Sequence, residues 1–251
     1  RLNPAHTGYI TEEISLKPPL ELKWKFVTPA GAMGSPIVIG DTLVVRGSSL
    51  YGLNAGNGSI KWTRPLKSTS HTSPAASNDT IYVGSGAHPT CSGCGIEALD
   101  KNTGNLKWSL EFSPKGARDP NVSDGSLYFG SDDWYVRAVN AYTGNLLWTS
   151  PILNDGVIAV PAVADGKVFV GTWGGTLYSL DTNTGSIIWT FRPSPGGVLF
   201  PSPTFDNGVL YFGAGLDSLW AIDAETKDIK WISSQTDDAI GSSPAFAYGK
   251  V

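Results

Sequence analysis

Short apolar segments alternate with turn residues along most of the chain. One stretch contains, in order, AVA (162–164), KVFVG (167–171), TLYSLD (176–181) and SIIWTF (186–191). Each segment has the length of a strand and is rich in β-branched and aromatic residues, while Asp, Gly, Asn and Thr fill the gaps between them. The pattern predicts a unit of four short strands, with the first innermost and the fourth outermost.

This unit recurs along the sequence. Successive copies begin at prolines that lie 38, 46, 41, 42 and 41 residues apart, a period typical of propeller blades. Five copies place an Asp or Asn eight residues before a Trp, in the pairs Asn54/Trp62, Asp100/Trp108, Asn140/Trp148, Asp181/Trp189 and Asp223/Trp231. A sixth copy begins at Pro244 and stops at Val251. We therefore expect an all-β propeller of four-stranded blades over residues 20–251, with about five complete blades and a partial one, after a lead-in at residues 1–19.

The turn between the third and fourth strands has its own signature, Asp-x-x-Thr-Gly. The Asp181 side chain is expected to accept hydrogen bonds from backbone N–H groups two and three residues on, and Gly185 to supply a positive φ. Glycine occupies the same position in three other copies, at residues 58, 104 and 144. Lys227 replaces it in the fifth copy, so we expect that turn to be looser or shifted.

Six of the nine tryptophans share the outer-strand position: Trp24, Trp62, Trp108, Trp148, Trp189 and Trp231. An indole can bury about 150–250 Å², which is more than a single blade can cover. The sequence therefore predicts that these side chains pack between neighbouring blades, and it assigns them no chemistry.

The pattern A-x-D/N-x-x-T-G-x-x-x-W resembles the tryptophan-docking repeat of the pyrroloquinoline-quinone-like propellers. That family includes quinoprotein alcohol dehydrogenases, the propeller subunit of the outer-membrane β-barrel assembly machinery, and secreted or sensor propellers. The resemblance implies a full ring of seven or eight blades. It also implies that residues 21–26, with Trp24, form the outer strand of the last blade and close the ring.

The charge pattern and the length of the apolar runs indicate neither a nucleic-acid partner nor a transmembrane segment. The formal net charge is −4 and the 18 Lys and Arg are scattered, so no basic stripe indicates a nucleic-acid partner. The longest apolar runs have the length of a strand, and we expect no transmembrane segment.

Two cysteines, Cys91 and Cys94, lie in a loop insertion of the second copy. Gly95 follows the second cysteine, which excludes a c-type haem motif. We favour a disulfide formed in an oxidising compartment. Free thiols remain an alternative, as does a metal site built from His71, His88, Cys91 and Cys94.

Blade lengths vary mainly in the loop between the second and third strands. In a propeller this loop opens on the same face as the crossovers between blades, so that face is the expected binding face. Its candidate residues are His71, His88, Asp132, Asp133, Trp134, Trp173 and Asp217. Possible glycosylation sites are Asn57, Asn78 and Asn121. Together with the cysteine pair, they favour an extracellular, cell-surface or periplasmic location.

The residue types of the inner strands help to choose between two functional hypotheses. A quinoprotein dehydrogenase that holds pyrroloquinoline quinone and Ca²⁺ needs several converging oxygen ligands, at least one of them a carboxylate. The predicted inner strands offer one amide, Asn121, and no carboxylate. We therefore favour a non-catalytic binding or scaffold module without a cofactor, for a protein, peptide or glycan partner. The quinoprotein dehydrogenase is the alternative.

Overall fold

The computed structural model describes residues 21–28, 31, 34–67, 72–85, 93–112, 116–193, 202–214, 218–233 and 243–245. These residues form five antiparallel sheets of four strands each, in sequence order within each sheet. Within these ranges, no helix is long and apolar enough to cross a membrane. The five sheets confirm the predicted all-β propeller architecture, while the lead-in at residues 1–19 and the sixth blade beyond residue 245 lie outside the described residues.

The strands have the following bounds. Blade 1 contains β1 (Ile37–Ile39), β2 (Thr42–Arg46), β3 (Ser49–Asn54) and β4 (Ile60–Pro65). Blade 2 contains β5 (Ala75–Ser77), β6 (Thr80–Gly84), β7 (Gly95–Asp100) and β8 (Leu106–Glu111). Blade 3 contains β9 (Asn121–Ser123), β10 (Ser126–Gly130), β11 (Val136–Asn140) and β12 (Leu146–Thr149). Blade 4 contains β13 (Ala162–Ala164), β14 (Lys167–Gly171), β15 (Leu177–Asp181) and β16 (Ile187–Phe191). Blade 5 contains β17 (Thr204–Asp206), β18 (Val209–Ala214), β19 (Ser218–Asp223) and β20 (Ile229–Ile232).

The core lies between blades rather than within them. The innermost strands β1, β5, β9, β13 and β17 contact one another in that order. Each buried apolar cluster joins two neighbouring blades; the one between blades 3 and 4 contains Tyr128, Trp148, Val168 and Tyr178. A blade is therefore stabilised by the sheet faces on either side of it.

The turn between the third and fourth strands has the same side-chain hydrogen bonds in all five blades. The Asp181 carboxylate accepts hydrogen bonds from the N–H groups of Asn183 (2.9 Å) and Thr184 (2.8 Å). The Thr184 hydroxyl also donates to it, and these bonds hold the pKa of Asp181 below its ordinary value. Equivalent bonds form at Asn54, Asp100, Asn140 and Asp223.

The expectation that the fifth turn is loose or shifted is wrong. Lys227 adopts a φ of +68°, close to the +71° of Gly185 in blade 4, and its N–H donates to Asp223 O at 3.0 Å. The hydrogen bonds from the turn to the Asp223 side chain therefore keep a lysine in a backbone conformation that favours glycine.

Lys227→Gly is accordingly expected to raise the free energy of unfolding by about 1 kcal/mol, because it removes the strain of a side chain at positive φ. Urea unfolding followed by circular dichroism measures the change. Lys230→Gly, within β20, is the control and should destabilise the protein, since glycine weakens a strand. A Lys227→Gly protein no more stable than the parent would contradict the strain argument.

The repeated tryptophans connect each blade to the next. The indole Nε1–H of Trp148 donates to Thr182 O at 2.7 Å, and that carbonyl belongs to the turn of blade 4. The same bond joins Trp24 to Ala55 O, Trp62 to Lys101 O, Trp108 to Ala141 O and Trp189 to Ala224 O. In blade 4 the turn glycine also leaves room for the indole, because a Cβ at Gly185 would lie 2.4 Å from Trp148 Cε3.

Burial of the six indoles is not uniform. Trp62, Trp148 and Trp189 are buried, and Trp24 and Trp108 are partly buried. Trp231 is 41% exposed, which corrects the expectation that all six are buried. The other indoles pack on the turn of the following blade, whereas the contact described for the Trp231 ring is with Tyr211 of its own blade, with centroids 5.9 Å apart. Residues 21–26 form no strand, so their role in closing the ring remains a prediction.

Candidate functional site

The candidate site lies on the face that carries the loops from second to third strands and the crossovers between blades. Asp132, Asp133 and Trp134 lie in the loop between β10 and β11, and Trp173 lies in the loop between β14 and β15. Three of the seven candidate binding residues lie outside the described residues, namely His71, His88 and Asp217, and so does Cys91. The structure therefore describes the other four candidates.

Both carboxylates of the blade 3 loop are already neutralised. Arg118 holds Asp132 through two parallel hydrogen bonds, Nε to Oδ1 and Nη2 to Oδ2, each 2.9 Å long. Arg137 also binds Asp133 through two hydrogen bonds, from Nη1 to Oδ1 and from Nη2 to Oδ2. A bidentate ion pair of this kind fixes the orientation of both side chains. These two candidates therefore shape the loop rather than offer free charges to a partner.

Arg137 also supports the loop through aromatic stacking. Its guanidinium lies 4.7 Å from the ring centroid of Phe112 and 5.3 Å from that of Tyr135. The first ring comes from the end of blade 2 and the second from the loop itself, so this cation–π arrangement joins the two blades. Arg137 was not predicted as a site residue, because it lies within β11 and because its contact with Phe112 of blade 2 forms only when the two blades pack.

Trp134 is the exposed centre of this loop. Its side chain is 45% exposed and its φ is +73°, a left-handed conformation that is rare for a bulky residue. Leu153 N donates to Trp134 O at 2.9 Å, which ties the residue to the following crossover. A strained, half-exposed aromatic residue gains little stability from burial, and such residues are concentrated at functional sites.

The crossover between blades 3 and 4 lies between the two tryptophan loops. Val157 N donates to Ser131 O at 3.2 Å, in the loop of Trp134, and Trp173 N donates to Gly156 O at 3.1 Å. Backbone hydrogen bonds therefore connect both loops to one short segment, residues 153–157. We call Trp134, Trp173 and residues 153–157 the indole face.

Asn154 fixes the second loop and was missed from the sequence. Its Oδ1 accepts from Thr172 Oγ1 (2.8 Å) and its Nδ2 donates to Thr176 Oγ1 (2.9 Å), so it holds both ends of the loop that carries Trp173. Trp173 is 49% exposed above this support. In four copies of the sequence a hydroxyl residue follows the glycine that ends the second apolar run, at Ser48, Ser85, Ser131 and Thr172. This pattern was the available signal for the residues that support the loops.

The cysteine insertion is described only at its base. Cys94 is fully buried, and the Ser85 hydroxyl accepts from Gly95 N at 2.8 Å. The disulfide, the free thiols and the metal site all need Cys91, so the choice among them remains a prediction.

The three possible glycosylation sites differ in accessibility. Asn57 and Asn78 are exposed in turns. Asn121 is completely buried and its Nδ2 donates to Pro161 O at 2.8 Å, which corrects the expectation for this residue because a folded chain has no room for a glycan there.

The inner strands bear on the quinoprotein alternative. Asn121 Nδ2 and Thr204 Oγ1 each donate to a proline carbonyl of the next blade, Pro161 O at 2.8 Å and Pro244 O at 2.6 Å. The amide nitrogen of Asn121 and the hydroxyl of Thr204 therefore connect blades. Asn121 Oδ1, the atom that could bind a cation, is buried without a hydrogen-bond partner and is a single oxygen. Asp206 ends β17, which corrects the expectation that the inner strands lack a carboxylate.

Asp206 does not complete a cofactor site. It is buried beside the hairpin turn, where it accepts from Asn207 Nδ2 at 2.8 Å. Ca²⁺ needs six to eight converging oxygen ligands. Within the part of the chain that the structure describes, no group of three or more His, Cys, Asp or Glu residues could hold a metal ion. The oxygen atoms that the described inner strands could offer as metal ligands do not fit a calcium–quinone site.

Comparison with known proteins agrees with the repeat pattern. Residues 20–123, 94–151 and 132–250 match the family described as "Outer membrane protein assembly factor BamB". No curated protein matches the sequence.

Three solved structures have the same fold. BamB from Moraxella catarrhalis has a TM-score of 0.69 and 21% identity over 84% of this chain and 64% of its own. A quinohemoprotein alcohol dehydrogenase from Pseudomonas putida HK5 has a TM-score of 0.67 and 17% identity over 85% of this chain and 44% of its own. A europium-containing methanol dehydrogenase has a TM-score of 0.68 and 17% identity over 85% of this chain and 53% of its own. The chain thus spans about two thirds or less of each structure, and identities this low show a shared fold alone.

Proposed function

Since the chain belongs to the family described as outer membrane protein assembly factor BamB, we propose that it is a non-catalytic scaffold that binds a protein partner in the cell envelope. The membership confirms the resemblance to pyrroloquinoline-quinone-like propellers. The proposal favours a scaffold over a quinoprotein dehydrogenase because the described inner-strand donors contact the next blade.

The observation that carries the proposal is the indole face. Trp134 and Trp173 are each about half exposed, at 45% and 49%, on loops that the same crossover holds through backbone hydrogen bonds. Tryptophan is enriched at the centres of protein interfaces, where it supplies large contact area with little loss of side-chain entropy. A partner that covers both rings gains from a surface that is already ordered before binding.

The charged side chains around the two rings also favour partner binding. Because Arg118 and Arg137 already neutralise Asp132 and Asp133, a partner that buries this loop removes no unpaired carboxylate from water. Burial of an uncompensated charge would oppose binding by several kcal/mol. The ion pairs therefore leave the exposed indoles as the main source of affinity.

Site-specific photo-crosslinking tests this proposal. A photoreactive phenylalanine analogue at position 134 or 173 is expected to give one partner adduct in the source cells, and mass spectrometry identifies the partner as protein, peptide or glycan. Position 142 is the matched control, because Tyr142 is 66% exposed in a turn at the other ends of the strands. With the purified partner, Trp134→Ala is expected to weaken binding by about 30-fold, the loss typical of an interface hot spot. Equal crosslinking from position 142, or unchanged affinity of Trp134→Ala, would contradict the assignment.

A further inference from the structure

The crossover of the indole face contains an Asp–Gly dipeptide whose reactive groups touch. Gly156 N donates to the carboxylate of the preceding residue, Asp155 Oδ1, at 2.7 Å. An Asp–Gly dipeptide can rearrange when the glycine nitrogen attacks the side-chain carboxyl carbon of the aspartate. That carbon is bonded directly to Oδ1, so the structure holds the attacking and the attacked groups in contact. Contact of this kind raises the rate of an intramolecular reaction.

Two other Asp–Gly dipeptides of the chain provide an internal comparison, Asp124–Gly125 and Asp165–Gly166. Each forms the hairpin turn between the first and second strands of its blade, and the two aspartates have φ values of +47° and +49°. Among the hydrogen bonds of the described residues, neither Gly125 N nor Gly166 N donates to the preceding carboxylate. Of the three dipeptides, the one in the crossover is therefore the one with its reactive groups in contact.

The surroundings of Gly156 leave room for a ring to form. A Cβ built on Gly156 would meet no atom beyond its chain neighbours nearer than 3.8 Å, and the atoms at that distance belong to Asp132. Asp155 is partly exposed, so water can reach its carbonyl groups. The crossover thus has space for a five-membered imide and access for the water that hydrolyses it.

We propose that Asp155 is a site of spontaneous isoaspartate formation. First, Gly156 N forms a bond to Cγ of the neutral Asp155 carboxyl, the Cγ–OH bond breaks, and the hydroxyl leaves as water with the amide proton. The product is a cyclic imide. One water then opens the imide: cleavage of the N–Cγ bond restores aspartate, whereas cleavage between the nitrogen and the main-chain carbonyl carbon leaves isoaspartate. One water is released and one is consumed, so the chain keeps its mass.

Isoaspartate in the crossover is expected to loosen the tryptophan loops, because it inserts one additional carbon atom into the main chain before Gly156. Gly156 O accepts from Trp173 N at 3.1 Å, and Val157 N donates to Ser131 O at 3.2 Å in the loop of Trp134. A longer main chain displaces the crossover from at least one of these loops. The isomerised protein should therefore bind a partner of the indole face more weakly. This consequence, unlike the modification itself, rests on the proposed function.

Incubation of the 251-residue chain at pH 6 and 37 °C for several weeks tests the proposal. Electron-transfer fragmentation of tryptic peptides distinguishes isoaspartate from aspartate at each position. Isoaspartate is expected to accumulate at least about tenfold faster at Asp155 than at Asp124 or Asp165, because the reactive groups of the first are held in contact. In guanidinium chloride the three rates should become similar, since unfolding removes the difference in geometry.

Two variants check the chemistry. Asp155→Glu keeps the carboxylate but would have to close a six-membered ring, so it should give no rearrangement. Gly156→Ala places a methyl group beside the attacking nitrogen and should slow the rearrangement severalfold. The alanine fits, because the φ of Gly156 is not positive and its Cβ makes ordinary contacts. Thermal unfolding checks that both variants are folded.

The outcomes separate the modification from its consequence. Similar rates at the three dipeptides of the folded chain, or no isoaspartate at Asp155, would overturn the proposal. For the consequence, ion-exchange chromatography separates the isomerised from the unmodified chain, and the affinity of each is measured for the partner identified by photo-crosslinking. Isoaspartate with unchanged affinity would support the modification and contradict its effect on binding. Isoaspartate without any crosslinked partner would support the modification and contradict the proposed function alone.

Discussion

Replacing Trp148 with alanine is expected to lower the free energy of unfolding by about 3–5 kcal/mol. The side chain is only 7% exposed and packs between blades 3 and 4, with one ring edge against Gly185. Its indole N–H also donates to Thr182 O. The substitution therefore leaves a cavity at the blade interface and an unpaired carbonyl beside it, and both effects destabilise the folded chain.

The matched control for this prediction is Trp231→Ala, which removes the same side chain from the same position of blade 5. Because Trp231 is 41% exposed, we expect a loss of about 1 kcal/mol or less. Trp148→Phe should give an intermediate loss, since phenylalanine keeps most of the packing but not the hydrogen bond. Urea unfolding monitored by circular dichroism measures all three changes. Equal losses for Trp148→Ala and Trp231→Ala would show that packing between blades is not what the repeated tryptophan contributes.

The strands could be predicted well because both their pattern and their boundaries are local properties. The predicted segments AVA and KVFVG coincide with β13 and β14, since β-branched residues alternate there between turn residues that end each strand. Lys227 shows where local reasoning fails. A lysine at a glycine position predicts a disturbed turn, yet the hydrogen bonds to Asp223 and the indole of Trp189 against the same turn maintain its shape.

Of the candidate site, the sequence could predict only the face of the propeller on which it lies. Loop lengths and crossover positions identified the end of the propeller where Trp134 and Trp173 are exposed. The partner of Asp132 could not be predicted, because Arg118 reaches this loop from the crossover between blades 2 and 3. Asn154 lies in the crossover and holds both ends of the loop that carries Trp173, 18 and 22 residues away in the sequence, so no local pattern indicated its role.

The strand register of blade 1 could not be predicted from the sequence. In the sequence, the apolar run of the first copy ends at Gly47, in line with the glycines that end the corresponding run of the other four copies. The structure places Arg46 at that position, opposite Leu50, just as Gly84 lies opposite Ile96. A large charged residue at a glycine position cannot be recognised by pattern, because the space for its side chain comes from blade 2.

Arg46 is buried at this interface and needs a nearby negative charge. Its side chain is 2% exposed, and Nη1 donates to Thr72 Oγ1 (2.8 Å) and to Gly84 O (3.1 Å) in blade 2. Burial lowers the pKa of Arg46 to about 10, and the negative charge of Asp119 acts in the opposite direction. The guanidinium therefore remains charged at neutral pH. Asp119 also accepts from Ser73 N at 2.6 Å, which links blades 1, 2 and 3.

Asp119→Ala is expected to lower the free energy of unfolding by about 3 kcal/mol, because it leaves the buried charge of Arg46 without compensation and removes the acceptor of Ser73 N. Arg46→Met removes the charge itself. In the double variant the loss should be smaller than the sum of the two single losses, since the uncompensated charge is then absent. Asp41→Ala is the control, as it breaks the exposed pair with Lys61 and should cost less than about 1 kcal/mol. Urea unfolding at pH 7 gives the four values; strictly additive losses would mean that Arg46 and Asp119 stabilise the blades independently.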